Sequence, residues 1–196
     1  MNTSTFKPLA AHRAPGTLRI QTPQDGTPVT EQSAATEVMT DFTRVNAVTI
    51  RPQASLFQAN ETMIAQGVRL LLVTSDDGQL LGIVSTRDTL GERPMQLLHQ
   101  GKGNLFELKV SDLMHAVPDI EMLDLDEVRH ANVGDMVATL RALGRQHVLV
   151  MAGQGADGSA HVHGVFSASR ISRQLGIELE PFQTARTFAE IEAALI

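Results

Sequence analysis

Cysteine, tryptophan and tyrosine are all absent from this chain. Without cysteine there is no disulfide framework and no thiolate metal site. Without tryptophan or tyrosine, stacking against a flat ligand falls to seven phenylalanines. Apolar runs are short, and none approaches the ~20 residues that cross a bilayer. The opening residues, MNTSTFKPLAAHRAPG, hold no apolar block of the kind a secretory signal carries. A cytoplasmic location is therefore the expectation. Cations are outnumbered, 16 Lys+Arg against 22 Asp+Glu, for a net charge of -6. A nonspecific nucleic-acid binder needs many cations along the phosphate backbone. Neither a nucleic-acid polymer nor a membrane is an expected partner. What is present is 196 residues, 42% of them hydrophobic. That supplies a real core for one ordinary domain or two small ones.

Residues 1–33 are rich in Thr, Ser, Pro, Gln and Gly and lack apolar periodicity. They read as an extended or partly disordered arm, with Phe6 and Leu9 as candidate anchors. From Ala34 onward the apolar pattern is regular, and it repeats. Val38-Met39-Thr40 matches Leu113-Met114-His115. Gly67-Val68-Arg69-Leu70 matches Gly144-Arg145-Gln146-His147, and Gly82-Ile83-Val84-Ser85 matches Gly164-Val165-Phe166-Ser167. The landmarks fall in the same order in both copies. Where the first copy has the short turn SDDGQ, the second carries a longer hairpin, GQGADGSAH. The organisation read from this pattern has five parts. An arm covers 1–33, a first repeat 34–98, and a linker with the start of the second repeat 99–126, including the Met114 entry motif. The second repeat covers 127–180 and a C-terminal helix or tail 181–196.

Each copy follows one local grammar. A short strand is expected to end at Ile50 in the first copy and at Val128 in the second. Ser55 and Asn132 then suit helix N-caps. Apolar residues follow at helical spacing: Leu56, Ala59, Met63 and Ile64, then Val133, Met136, Val137, Leu140 and Leu143. Gly67 and Gly144 suit C-caps. LLLV (70–73) and HVLV (147–150) read as buried strands. A turn and a third strand follow, and a second helix starts near Thr86 and near Ala168. The fold class is α/β (of α+β type), with the order β-α-β-β-α twice and the two units covering each other.

The stretch GIVSTRDTL (82–90) carries the most chemistry. Ser85 and Asp88 stand three residues apart where a strand gives way to a helix. Ser-x-x-Asp is a capping-box pattern. The same carboxylate also suits a vicinal diol, since it accepts two charge-assisted hydrogen bonds at once. The two roles are compatible.

The VMT entry, the LLLV strand behind a Gly-ended helix, and the Gly-x-x-Ser-x-x-Asp close resemble the CBS domain, and the two copies together resemble a tandem CBS pair (Bateman module). The likeness covers roughly residues 34–176. It implies two repeats packed about an approximate twofold axis with two clefts between them. It also implies an adenosine-containing ligand (AMP, ADP, ATP or S-adenosylmethionine) and a signal passed to an unidentified protein partner, commonly from a homodimer. Carried over residue by residue, it places Thr43, Val48, Val68, Arg69, Leu70, Ser85, Arg87 and Asp88 at a ligand site. Asp88 would take the ribose hydroxyls, and Arg69 and Arg87 would stand near phosphate. The second copy departs from the pattern. Arg145, His147, Ser167 and Arg170 are its counterparts in a second cleft, and Arg170 replaces the carboxylate. Arginine has donors only and cannot accept a ribose hydroxyl's proton. One adenosine site is therefore implied, not two.

Other features point to less. His161 and His163 share one strand face, but no third metal ligand accompanies them. Asp112, Asp119, Glu121, Asp124, Asp126 and Glu127 read as an acidic, solvated linker. No nucleophile elbow, P-loop or acid–base pair is evident, so neither enzyme activity nor a cofactor is expected. The reading is a regulatory ligand sensor. A nucleotide-independent dimeric scaffold is the alternative.

Overall fold

The computed structural model describes residues 10, 11, 13, 28–153 and 160–177. Phe6, Leu9, most of the arm, residues 154–159 of the long hairpin and the tail 181–196 lie outside the described residues. The first half comprises α1 (Ala35–Val38), β1 (Thr40–Asp41), β2 (Thr49–Ile50), α2 (Leu56–Gln66), β3 (Leu70–Thr74), β4 (Leu80–Ser85), α3 (Thr86–Leu90) and α4 (Arg93–His99). The second comprises α5 (Val110–Leu113), β5 (His115–Ala116), β6 (Met122–Asp124), α6 (Leu125–His130), α7 (Val133–Leu143), β7 (His147–Ala152), β8 (His161–Ser167) and α8 (Ala168–Leu175).

The long helices form where their residues predict. Ser55 Oγ accepts from the Gln58 N–H, and Asn132 Oδ1 accepts from the Asp135 N–H. Gly67 and Gly144 end α2 and α7 in the left-handed region, with φ of 63° and 61°, which glycine enters without a Cβ penalty. Helix α7 buries Val133, Met136, Val137 and Leu140, and α2 buries Leu56, Ala59 and Met63.

Two four-stranded sheets carry the fold, in the orders β2-β3-β4-β5 and β1-β8-β7-β6. The entry segments are exchanged. β1 belongs to the first copy but pairs with β8, Thr40 opposite Val165. β5 belongs to the second copy but pairs with β4, His115 opposite Ile83. The helices before them follow the same route. Ala35, Val38 and Met39 join the core of α6, α7, β7 and α8. Val110 joins Ala59, Met63, Leu71, Val73 and Val84. The matching registers give the two halves an approximate twofold relation.

This exchange explains the glycines of GIVS and GVFS. A Cβ at Gly82 would sit 2.3 Å from the His115 carbonyl oxygen, and one at Gly164 would sit 2.6 Å from that of Thr40. Each exchanged strand runs close over a glycine, and no side chain fits between them.

One boundary differs from expectation. The second copy's first strand ends at Asp124, not at Val128. Residues 125–130 are α6, because Asp124 Oδ1 accepts from the Asp126 N–H at 2.7 Å. Leu125 and Val128, three apart, then fall on one buried helical face. The acidic stretch is likewise not all linker. Asp112 accepts from the Lys109 N–H at 2.9 Å and pairs with Lys102 at 3.0 Å.

Candidate functional site

Strand pairing sets the geometry of the site. Leu70 lies opposite Ser85, and His147 lies opposite Ser167. The start of each repeat's middle strand therefore stands beside the strand-to-helix turn of the same repeat. Leu70 and His147 occupy equivalent positions, and both line both of the cavities described next.

The first cavity, about 720 Å³, is lined by Ser85, Arg87, Asp88, Arg93 and His115 and, facing them, by Gly144, Arg145, Gln146 and His147. We call it the Asp88 cleft. The second, about 680 Å³, is lined by Phe42, Val48, Val68 and Arg69 with Ser167, Ser169, Arg170 and Arg173. We call it the Arg170 cleft. Each cleft thus combines a strand-to-helix turn of one repeat with a helix-to-strand turn of the other.

This arrangement corrects the grouping expected from the sequence. Ser85, Arg87 and Asp88 do not share a cleft with Val48, Val68 and Arg69. They face Arg145 and His147 instead. Ser167 and Arg170 take the place beside Val48, Val68 and Arg69. Leu70 and His147 form the shared wall between the two sets, so each turn looks across at the neighbouring repeat. Thr43 lines neither cleft. It is exposed, and its hydroxyl donates to Asp41 Oδ1 at 2.6 Å. That bond closes a local turn after β1.

Asp88 is 9% exposed. Its Oδ2 accepts from the Ser85 N–H at 2.8 Å and from the Ser85 hydroxyl at 2.6 Å. Its Oδ1 lies 3.0 Å from His115 Nε2 and 3.8 Å from Arg93 Nη1. Burial pushes the carboxyl up. The hydrogen bonds from His115 and Ser85 pull it down further, so it titrates below the usual carboxylate range. The capping role is thus seen directly, and one oxygen also faces the cleft side chains.

The equivalent pair in the Arg170 cleft is built differently. An Arg170 guanidinium N–H donates to Thr40 Oγ1 at 3.3 Å. Thr40 occupies the position of His115, and Arg170 that of Asp88. His147 lies between the clefts. Burial and the charge of Arg69 lower its pKa to about 4, against the pull of Asp88.

Sequence reasoning passed over His115, Arg93, Phe42 and Arg173 as site residues. His115 was visible as the last residue of the LMH landmark, matched to Thr40. Its role came only with the exchanged strand that carries it to Asp88. Among the described residues no cluster of three or more metal-ligating side chains occurs, and no helix is long and apolar enough to cross a membrane.

Residues 35–93 match the model of the CBS domain family. No curated protein matches the chain significantly. Among solved structures, CBSX2 of Arabidopsis thaliana in complex with AMP is 23% identical with a TM-score of 0.51, over 72% of this chain and 94% of that one. An uncharacterized conserved protein from Pyrococcus horikoshii is 17% identical with a TM-score of 0.54, over 78% and 98%. The CBS domain pair of protein MJ0100, in complex with 5′-methylthioadenosine and S-adenosyl-L-methionine, is 16% identical with a TM-score of 0.50, over 74% and 96%. The second repeat is built on the plan of the first, and the described residues share the fold of these tandem CBS pairs.

Proposed function

We propose that this chain is a regulatory module that senses an adenosine nucleotide in the Asp88 cleft and reports occupancy to a protein partner. The observation that carries the reading is the Ser85–Asp88 turn facing the Gly144–His147 turn of the other repeat across a 720 Å³ cavity. The carboxylate there accepts a ribose diol when its Oδ1 exchanges His115 for hydroxyls. Arg87, Arg93 and Arg145 line the same cavity. Against them stand Asp88 and Glu92, so the cleft favours a phosphate-bearing nucleotide over a sulfonium cation. CBSX2 was solved with AMP and the MJ0100 pair with adenosyl ligands, which supports the ligand class. The role is regulatory rather than catalytic. The setting is cytoplasmic.

A homodimer belongs to the same reading. Phe57, Ile64 and Leu90 are 68%, 81% and 68% exposed on the outer helices of the first repeat. The equivalent positions of the second repeat hold Gly134, Arg141 and Ser172. A second copy covers the apolar face in this reading.

Calorimetric titration with AMP, ADP, ATP and S-adenosylmethionine tests the proposal. A phosphate-bearing ligand is expected to bind with a stoichiometry near one. At 100 times its Kd it adds about 2.7 kcal/mol to stability. No heat and no melting shift with any of the four at millimolar concentration would leave the dimeric scaffold as the function.

A further inference from the structure

Both oxygens of Asp88 have partners within the chain. Oδ2 takes the Ser85 N–H and hydroxyl, and Oδ1 takes His115. At 3.0 Å from a carboxylate oxygen, His115 Nε2 must carry a hydrogen and donate it, because two facing lone pairs would repel. Arg93 Nη1 lies 3.4 Å from that nitrogen and 3.8 Å from Oδ1. Arginine only donates, so the two groups converge on the one oxygen rather than bonding to each other. Asp88 is buried, whereas the side chains of His115 and Arg93 keep 31% and 41% of their surface exposed. The donors have room to turn away; the carboxylate does not. A buried carboxylate that gives up such donors without replacement is destabilised.

Neither donor belongs to the turn that carries Asp88. His115 arrives on the exchanged strand β5, and Arg93 on α4, which starts afresh after the chain breaks at Gly91. Leu97 and Leu98 anchor α4 against Leu56, Leu108 and Leu113. The second repeat has no such pair. Thr40 stands in place of His115, and α8 runs unbroken to Leu175, the residue in register with Arg93. A ribose diol reaches Oδ1 of Asp88 only by displacing His115 and Arg93. A nucleoside offers these donors no charge in return. A phosphate accepts from both, and it matches the guanidinium fork.

We infer that His115 and Arg93 determine specificity in the Asp88 cleft, guarding the carboxylate against nucleosides and yielding it to nucleotides. The 5′-phosphate draws both side chains off Asp88, and the freed oxygen takes the ribose. Selection lies in that exchange of partners and not only in an added charge contact. This selectivity rests on the nucleotide reading of the cleft and names the residues that choose within the class.

Calorimetric titration of the full chain with AMP and with adenosine tests it. The parent chain is expected to bind AMP about thirtyfold or more tighter than adenosine. His115→Ala removes one guard. Adenosine should then bind about thirtyfold tighter, and AMP only about three- to tenfold tighter, because its phosphate has lost a partner. Arg93→Gln should weaken AMP about fivefold and hold adenosine within about twofold. The preference for AMP therefore falls in both variants. Arg141→Gln removes the same charge from an exposed position on α7 and should leave the preference unchanged. Circular dichroism confirms that the variants fold. An unchanged preference in either His115→Ala or Arg93→Gln overturns the inference and leaves the nucleotide reading standing. So does equal binding of AMP and adenosine by the parent, or a fall in Arg141→Gln as large as that in Arg93→Gln. Failure of both ligands to bind any of these chains overturns the nucleotide reading, and this inference with it.

Discussion

His115 Nε2 lies 3.0 Å from Asp88 Oδ1. The imidazole comes from β5, the second repeat's entry strand, and the carboxylate from the first repeat's α3. The contact ties the exchanged strand to the cleft and occupies the oxygen that a ribose would use. His115→Ala frees that oxygen, while Ser85 keeps the other in place. Nucleotide affinity measured by calorimetry should rise about three- to tenfold, since ligand no longer displaces an internal partner. Unchanged or weaker binding would show that His115 is not in competition.

Asp88→Ala removes the acceptor for the Ser85 N–H and for His115. Nucleotide binding should weaken by about 1–3 kcal/mol, and folding stability should fall by a similar amount. Urea unfolding and calorimetry separate the two losses. A stability loss with intact affinity would restrict Asp88 to its capping role.

The pH dependence has a definite sign. His147 takes up its proton near 6.5 when unfolded and near about 4 when folded. Between those values the unfolded chain binds more protons, so stability falls as pH drops through the window. Asp88, held below the ordinary carboxylate value, titrates at more acid pH and leaves this window to His147. His147→Leu installs the residue found at the equivalent Leu70. It should flatten the slope between about pH 7 and about pH 5 in urea unfolding.

Gly82→Ala drives a Cβ to within 2.3 Å of the His115 carbonyl. β5 must move, at a cost of about 1–3 kcal/mol. The His115–Asp88 contact should loosen with it. Thermal melting reads the first effect and amide exchange at His115 the second.

Ile64→Arg copies onto α2 the residue that α7 carries at Arg141. It breaks the apolar stripe of Phe57, Ile64 and Leu90 with a charge. Sedimentation should show a dimer of the parent chain shifting to monomer, with the melting temperature of the isolated fold little changed. If both chains sediment alike, this face is not the dimer contact.

Much of the architecture was legible because it is locally encoded. Ser55, Asn132, Gly67 and Gly144 satisfy backbone groups within four residues of themselves. The apolar spacing of α2 and α7 is a property of one turn and the next. Val128 was misread as a strand end because a short apolar spacing suits either element. Asp124, four residues earlier, decides for helix by capping it. Ser85 and Asp88 were legible as a pair for the same local reason, since they sit three apart on one turn.

By itself the sequence determined the long helices α2 and α7 with their caps, the central strands, the internal repeat and the asymmetry of Asp88 against Arg170. Only the tertiary structure decided which residues share a cleft. Strand pairing joins segments far apart in the chain, and the free edges of two similar sheets accept each other's entry strands. That exchange brings His115 to Asp88 and Thr40 to Arg170. It also sets each turn opposite the neighbouring repeat, a placement fixed by sheet edges and buried apolar contacts that no stretch of a few residues contains.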